Sequence, residues 1–383
     1  MPNLSDIMEM AEALETKAII LVPDRCVAVR NRNATCRKCV DACPSFGALS
    51  VQDNKLDFDG SLCVSCGACT VVCPTEALVP TKPLDVDMAE GIARSCLAAH
   101  GSAVFACARI AARHEGDPEK YQEVPCLARM EESVLIELAA HAAVTSITLV
   151  DGVCATCKYR AVDAGIDATV TSTNALLAAW GSPVVLERVS AFPDRILLAD
   201  NVAEAFGVSR RGFFSHTKSA AKDTAKKTVV KALKPEEVEA TIQERLRVSD
   251  NGSLPQFNAL RRMNILNALD RIGQPQVDEV GTRLWGTVEI DTEVCSGCGM
   301  CVVFCPTGAL KKSEVEPEDG EGSYLEFSLA DCVQCNACSD ICLHACIRVV
   351  PTISTAELLD FEPRLLALPK PPTNRGILSG LKR

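Results

Sequence analysis

Cys63, Cys66, Cys69 and Cys73 are separated by two, two and three residues and are followed by Pro74. Thiolates are soft ligands, and this spacing suits iron–sulfur chemistry. Three cysteines on one tight loop reach one four-iron cube, while the fourth, expected at a helix start and pointing away, serves a second cube. Gly67 and Ala68 keep the loop small, so that backbone N–H groups can approach sulfide. Cys295, Cys298, Cys301 and Cys305 repeat the pattern with Pro306, and Cys332, Cys335, Cys338 and Cys342 repeat it again, with Leu343 where the proline belongs. A fourth copy is degenerate: Cys36, Cys39, Cys43 and Pro44 are present, but Asn33 stands in place of its first cysteine. The copies form two pairs, one on either side of different material, and this internal repeat frames the rest of the reading.

The paired runs resemble bacterial dicluster ferredoxins, in which ligation is crossed between the two runs. The resemblance implies that Cys63, Cys66, Cys69 and Cys43 hold one [4Fe-4S] cluster, and that Cys36, Cys39 and Cys73 belong to another. In the second pair, Cys295, Cys298, Cys301 and Cys342 share one cube and Cys332, Cys335, Cys338 and Cys305 the other. Cys26 lies upstream of the degenerate copy. It either completes a four-iron cluster, or leaves a three-iron cluster behind, or is a small buried hydrophobe. The segment Cys26-x-x-x-Arg30-x-Arg32 with Cys36-x-x-Cys39 resembles bacterial four-iron proteins that carry such an upstream cysteine, which favours the first.

Four further cysteines lie between the pairs. Ala103–Cys107 and Glu123–Cys126 read as short apolar strands that end in cysteine, and strand 146–150 leads into Cys154 and Cys157. Helices expected over 86–99 and 131–143, and a further strand over 184–189, complete an alternation that predicts a parallel α/β sheet, whose sites gather beyond the carboxyl ends of its strands. Cys107, Cys126, Cys154 and Cys157 all fall there. They suit a two-iron cluster, a four-iron cluster or zinc; Cys154 and Cys157 alone suit a redox dithiol, and some of the four could be merely buried. Val104-Phe105-Ala106-Cys107, Val124-Pro125-Cys126 followed by Arg129, and Gly152-Val153-Cys154 ahead of Cys157-Lys158-Tyr159 resemble the iron–sulfur delta subunit of methyl-viologen-reducing hydrogenase. That resemblance implies one [2Fe-2S] cluster and a link between hydrogenase and heterodisulfide reductase. Ile110 replaces a cysteine of that family, and the final pair is more closely spaced than its counterpart.

The elements that must position these thiols follow. The expected fold class is α+β and α/β, with two dicluster ferredoxin-like modules flanking a parallel α/β domain. Residues 1–83 form the first module, 84–207 the α/β domain, 208–284 a basic and helical linker, 285–352 the second module and 353–383 an extended tail suited to lying along a partner. Residues 4–17 read as an amphipathic helix, 18–22 as a strand, and 49–58 as a hairpin turning at Asp53-Asn54. A helix is expected over 254–272, and a surface excursion over 311–323. In the linker, Arg210, Arg211, Lys218, Lys222, Lys226, Lys227, Lys231 and Lys234 make either a solvated basic stretch or an arm for an acidic partner. Ser209-Arg210-Arg211-Gly212-Phe213-Phe214 imitates a twin-arginine export signal, without the apolar run that should follow.

Of 383 residues, 22 are cysteine but only 16 are Phe, Tyr or Trp, so clusters are expected to replace part of the aromatic core. With no secretory segment, so many thiols point to a reducing cytoplasm rather than a disulfide scaffold. No apolar stretch spans a bilayer, and a net charge of −11 disfavours nucleic acid. There is no Gly-rich phosphate loop, no Ser/His/Asp arrangement, and no ligand spacing among the five histidines. Cys96 and Cys346 are left over as structural residues, and His344, beside a cluster loop, is either a surface residue or a group that tunes the cluster's potential or couples a proton. The expected function is a cytoplasmic electron-transfer subunit relaying single electrons between partner subunits such as a flavoprotein, a hydrogenase, or a molybdenum or tungsten enzyme. The alternatives are an oxidoreductase whose central cluster is catalytic, in the manner of a disulfide reductase, and an iron–sulfur sensor or scaffold.

Overall fold

The computed structural model describes residues 18–198, 246–248, 253–317 and 322–369. The expected helix over 4–17 and the basic residues 210–234 of the linker lie outside them.

The first module contains β1 (Ile19–Leu21), β2 (Leu49–Gln52), β3 (Lys55–Phe58) and β4 (Leu78–Pro80). β1 pairs antiparallel with β4, Ile19 opposite Pro80, and β2 pairs with β3 as a hairpin. Asp53 and Asn54 form its turn with φ of 50° and 59°. A two-residue hairpin turn of this hand needs positive φ at both positions, and short polar side chains tolerate it. Ile19, Leu49, Leu56 and Leu78 pack against Cys26, Cys39, Cys69 and Cys73 in a small separate core.

The central domain is a four-stranded sheet of β5 (Ser102–Cys107), β6 (Gln122–Val124), β7 (Ser146–Val150) and β8 (Leu186–Val189). Its order is β6-β5-β7-β8 and every pairing is parallel. Every residue of β5 is buried, as expected of a parallel strand covered on both faces. Helices Asp85–Ala98, Glu132–Ala139 and Asp163–Ala179 flank the sheet. The helix expected over 131–143 therefore stops four residues early. Its end is set by tertiary pairing: Thr145 N–H donates to Gly101 O at 2.8 Å, which turns the chain into β7.

The second module repeats the first with additions. Its strands are β9 (Glu279–Gly281), β10 (Thr287–Ile290), β11 (Leu310–Lys312), β12 (Ser323–Phe327), β13 (Ile347–Val350), β14 (Thr352–Ser354) and β15 (Arg364–Leu368). β10–β13 corresponds to β1–β4 and β11–β12 to β2–β3, while β9 and β14 form an extra pair. The run after Pro351 is not simply extended. Ser354 caps the helix Thr355–Asp360, and β15 adds to this chain's own β12.

The helix expected from residue 254 begins only at Leu260. The preceding residues spend backbone N–H groups on the second module instead, Leu254 on Val303 O and Phe257 on Pro306 O, both at 3.0 Å. Helix Leu260–Ile272 packs on helix Glu132–Ala139 and ties the modules together. Arg261 donates to Thr70 O at 2.6 Å and pairs with Glu131 at 2.9 Å. One apolar core runs from Cys66 and Ala68 through the central sheet to Trp285 and Phe327.

Candidate metal centres

The intact cysteine runs share one backbone device. Each has two left-handed residues before its short helix: Ser65 and Gly67 (φ 55° and 77°), Gly297 and Gly299 (65° and 70°), Gln334 and Asn336 (52° and 63°). Left-handed residues of this kind curl backbone N–H groups into an anion-binding concavity. Ser65 N–H reaches Cys63 Sγ and Gly297 N–H reaches Cys295 Sγ, both at 3.4 Å. In the degenerate run, the residue equivalent to Gly67 is Arg37, whose φ is −129°. The backbone device is altered where the first cysteine is missing.

The fourth cysteine of a run does not start a helix, as the spacing suggested. Cys73 closes helix Ala68–Val72 and Cys342 closes helix Ala337–Ile341. The third cysteine lies in the helix and the fourth just past it, so one short helix carries ligands toward two different places.

Cys43, Cys63, Cys66 and Cys69 line one cavity, walled by Ile19, Leu49 and Phe58. Cys305, Cys332, Cys335 and Cys338 line a second, walled by Val288, Leu310 and Val349. Each set joins three cysteines of one run to the last of its partner run. Cys26, Cys36, Cys39 and Cys73 form a third group. Burial pushes the Cys26 thiol up to about 11, with Cys73 and Cys36 adding to the rise. Burial likewise pushes Cys39 up to about 12, reinforced by Cys73, Cys26 and Cys36. Cys26 thus sits among the three, at the N-terminus of helix Val27–Arg30. The fourth group is the most open: Cys298 is exposed while Cys301 is buried beside Cys298 and Cys295.

The sequence predicts Cys346 to be structural. Its Sγ lies 3.3 Å from Cys342 Sγ, and burial first, then Cys342 and Cys295, push its thiol up to about 12. It borders the fourth group; its place four residues after Cys342 was the available signal. His344 is exposed, and Cys96 is buried in helix Asp85–Ala98.

In the central domain the four cysteines meet at the carboxyl edge of the sheet. Cys107 ends β5, Cys126 follows β6 by two residues, and Cys154 and Cys157 flank the turn after β7. Cys107 Sγ donates to Asp151 O at 3.2 Å, and Cys154 Sγ reaches the same oxygen at 3.9 Å. Burial pushes Cys126 up to about 11, with Cys66, Cys107 and Cys157 adding to it. Among the described residues, no three His, Cys, Asp or Glu side chains gather around a position for a single metal ion.

All 22 cysteines are free. The raised thiols stay protonated until metal arrives, so loading must release protons and acid must oppose it.

The groups are arranged in sequence. Cys126 neighbours Cys66, Cys69 neighbours Cys39, Cys36 neighbours Cys335, and Cys338 neighbours Cys301. The central site is therefore followed by the groups of Cys66, Cys39, Cys335 and Cys301, in that order. Between the two modules, Thr35 N–H donates to Asp340 Oδ2 at 2.7 Å and Lys38 Nζ to Gln334 O at 3.5 Å.

The family model described as a 4Fe-4S dicluster domain matches residues 34–77 and again 294–346. A ferredoxin-type dicluster domain thus occurs twice, on either side of the parallel sheet, which is consistent with up to four [4Fe-4S] clusters. The central sheet lies outside both matches. No curated protein matches the chain. Among the described residues, no helix is long and apolar enough to cross a membrane.

Proposed function

We propose that this protein is an electron-transfer subunit of a cytoplasmic oxidoreductase, relaying single electrons along one line of clusters. The observation that carries the reading is the ordered series of five cysteine groups, each next to the following one. Cys43, Cys63, Cys66 and Cys69 would hold one [4Fe-4S] cluster, and Cys26, Cys36, Cys39 and Cys73 a second. Cys305, Cys332, Cys335 and Cys338 would hold a third, and Cys295, Cys298, Cys301 and Cys342 a fourth. Cys107, Cys126, Cys154 and Cys157 would hold a [2Fe-2S] cluster, in line with the resemblance to the hydrogenase delta subunit. When bound, such clusters supply reversible one-electron redox chemistry with no bond to a substrate.

The protein's own work is ligation, burial and hydrogen bonding. Ile19, Leu49 and Phe58 keep water from the cavity of Cys43, Cys63, Cys66 and Cys69. Ser65 and Gly297 N–H groups donate to ligand sulfur, and Ala77 N–H donates to Cys73 Sγ at 3.3 Å. The half-buried Cys126, Cys154 and Cys157 at one end and the exposed Cys298 at the other leave both ends of the line open to redox partners, for example a flavoprotein, a hydrogenase, or a molybdenum or tungsten enzyme. The central site is the port on its side.

Electron paramagnetic resonance of the fully reduced, anaerobically prepared protein tests the reading. A line of neighbouring clusters produces mutually broadened, spin-coupled signals. Cys126→Ala should abolish partner-dependent reduction of at least one dicluster pair while leaving the [4Fe-4S] signals present. Magnetically isolated signals, or unchanged partner-dependent reduction in that variant, would contradict it.

A further inference from the structure

The groups are joined across two module boundaries, and each boundary contains a buried arginine that the function so far leaves unused. At the first, Arg129 of the central domain packs on Gly67 in the loop of Cys66 and Cys69. A Cβ on Gly67 would lie 2.7 Å from Arg129 Cδ and 2.9 Å from its Cα. Arg129 is fully buried, and its Nε and Nη1 have no partner; only Nη2 is engaged, by the largely exposed Asp85. At the second boundary, Arg30 of the first module reaches toward the second. It is 8% exposed, and Nη1 donates to Pro255 O at 2.8 Å and Asp24 O at 3.1 Å. Its Nε and Nη2 are buried without partners. Burial lowers its pKa from the usual arginine value, against the opposing pull of Cys305, Cys335 and Asp24.

An unpaired buried guanidinium is costly, and such a group calls for a reason. Arginine stays charged even when buried. Arg129 lies directly on a cysteine loop of the next module, and Arg30 holds Pro255, in the stretch whose Leu254 and Phe257 N–H groups donate to Val303 O and Pro306 O on either side of Cys305; these placements supply that reason together. We propose that Arg129 and Arg30 are junction residues whose buried positive charges raise the reduction potentials of the clusters on Cys43, Cys63, Cys66 and Cys69 and on Cys305, Cys332, Cys335 and Cys338, so that the electron is favoured just beyond each boundary. Each reduction adds one electron, hence one negative charge, with no proton required. A fixed positive charge in a poorly screened interior stabilises that form. The inference rests on the relay reading above.

The test is a redox titration of the full-length, iron-loaded protein followed by electron paramagnetic resonance. The variants are Arg30→Gln, Arg30→Lys and Arg129→Gln, and iron is measured on each. Arg30→Gln should shift one [4Fe-4S] signal to lower potential and leave the others in place. Arg30→Lys should restore most of that shift, and Arg129→Gln should shift a different signal. Unmoved potentials at full iron content would overturn the proposal, as would one signal moved by both glutamine variants or equal shifts for glutamine and lysine. If Arg30→Gln loses iron, Arg30→Lys decides. Retained iron with a little-moved potential supports a role of charge; loss of iron as in Arg30→Gln overturns it. Absence of [4Fe-4S] signals in the unaltered protein would instead refute the relay reading itself.

Discussion

The two dicluster modules share one cysteine pattern and differ in what surrounds them. The second keeps all eight spaced cysteines, with left-handed residues in both runs and an exposed Cys298. The first lacks the opening cysteine of one run, where Asn33 stands, and the left-handed geometry at Arg37. It is also packed on two sides. Arg129 lies on its Gly67 loop and Arg261 on Thr70 O, while Thr35, two residues after the missing cysteine, donates to Asp340 of the second module. The difference teaches that the irregular run is the one that meets the other module. The stretch that opens the degenerate run is used for the junction, and Cys26, at the N-terminus of helix Val27–Arg30, lies among Cys36, Cys39 and Cys73.

The largest expected effect is therefore at Cys26. Cys26→Ser should convert one [4Fe-4S] centre to a three-iron signal or remove it, measured by electron paramagnetic resonance and iron content. An unchanged spectrum would make Cys26 only a packing residue and dissolve the comparison. A moderate effect is expected at the boundary that only the first module has. Gly67→Ala must hold φ near +77° and push against Arg129. It should cost about 1–3 kcal/mol of stability, measured by denaturant unfolding of the iron-loaded protein. The smallest effect is expected in the second module. Cys342 already has ψ of 107°, the extended conformation that a following proline requires. Leu343 is 84% exposed. Leu343→Pro should keep all iron and change stability by no more than about 1 kcal/mol.

The parts of this molecule that could be read from its sequence are those whose geometry is local. A cysteine run encodes its own loop, and the Asp53-Asn54 turn needed no distant information, whereas the crossed sets came from the ferredoxin resemblance. The apolar run of β5 announced a buried parallel strand for the same reason. The end of helix Glu132–Ala139 and the late start of helix Leu260–Ile272 depart from the sequence pattern because hydrogen bonds from remote residues decide them: Thr145 to Gly101, and Leu254 and Phe257 to the second module. The fourth cysteine closes a short helix instead of starting one, since spacing does not say which end of a helix a residue caps. The order of the five groups could not be read at all. It depends on contacts such as Thr35 with Asp340, which no periodicity records. The nature of the central centre is equally non-local, because its cysteines arrive from three strand ends.

The most direct test of the account is the iron and acid-labile sulfide content of the anaerobically prepared full-length protein, read together with its low-temperature electron paramagnetic resonance. Four [4Fe-4S] clusters and one [2Fe-2S] cluster require about eighteen iron atoms per chain and signals from both cluster types. About eight iron atoms per chain after full reconstitution, with signals from a single dicluster pair, would contradict the continuous line on which the account rests.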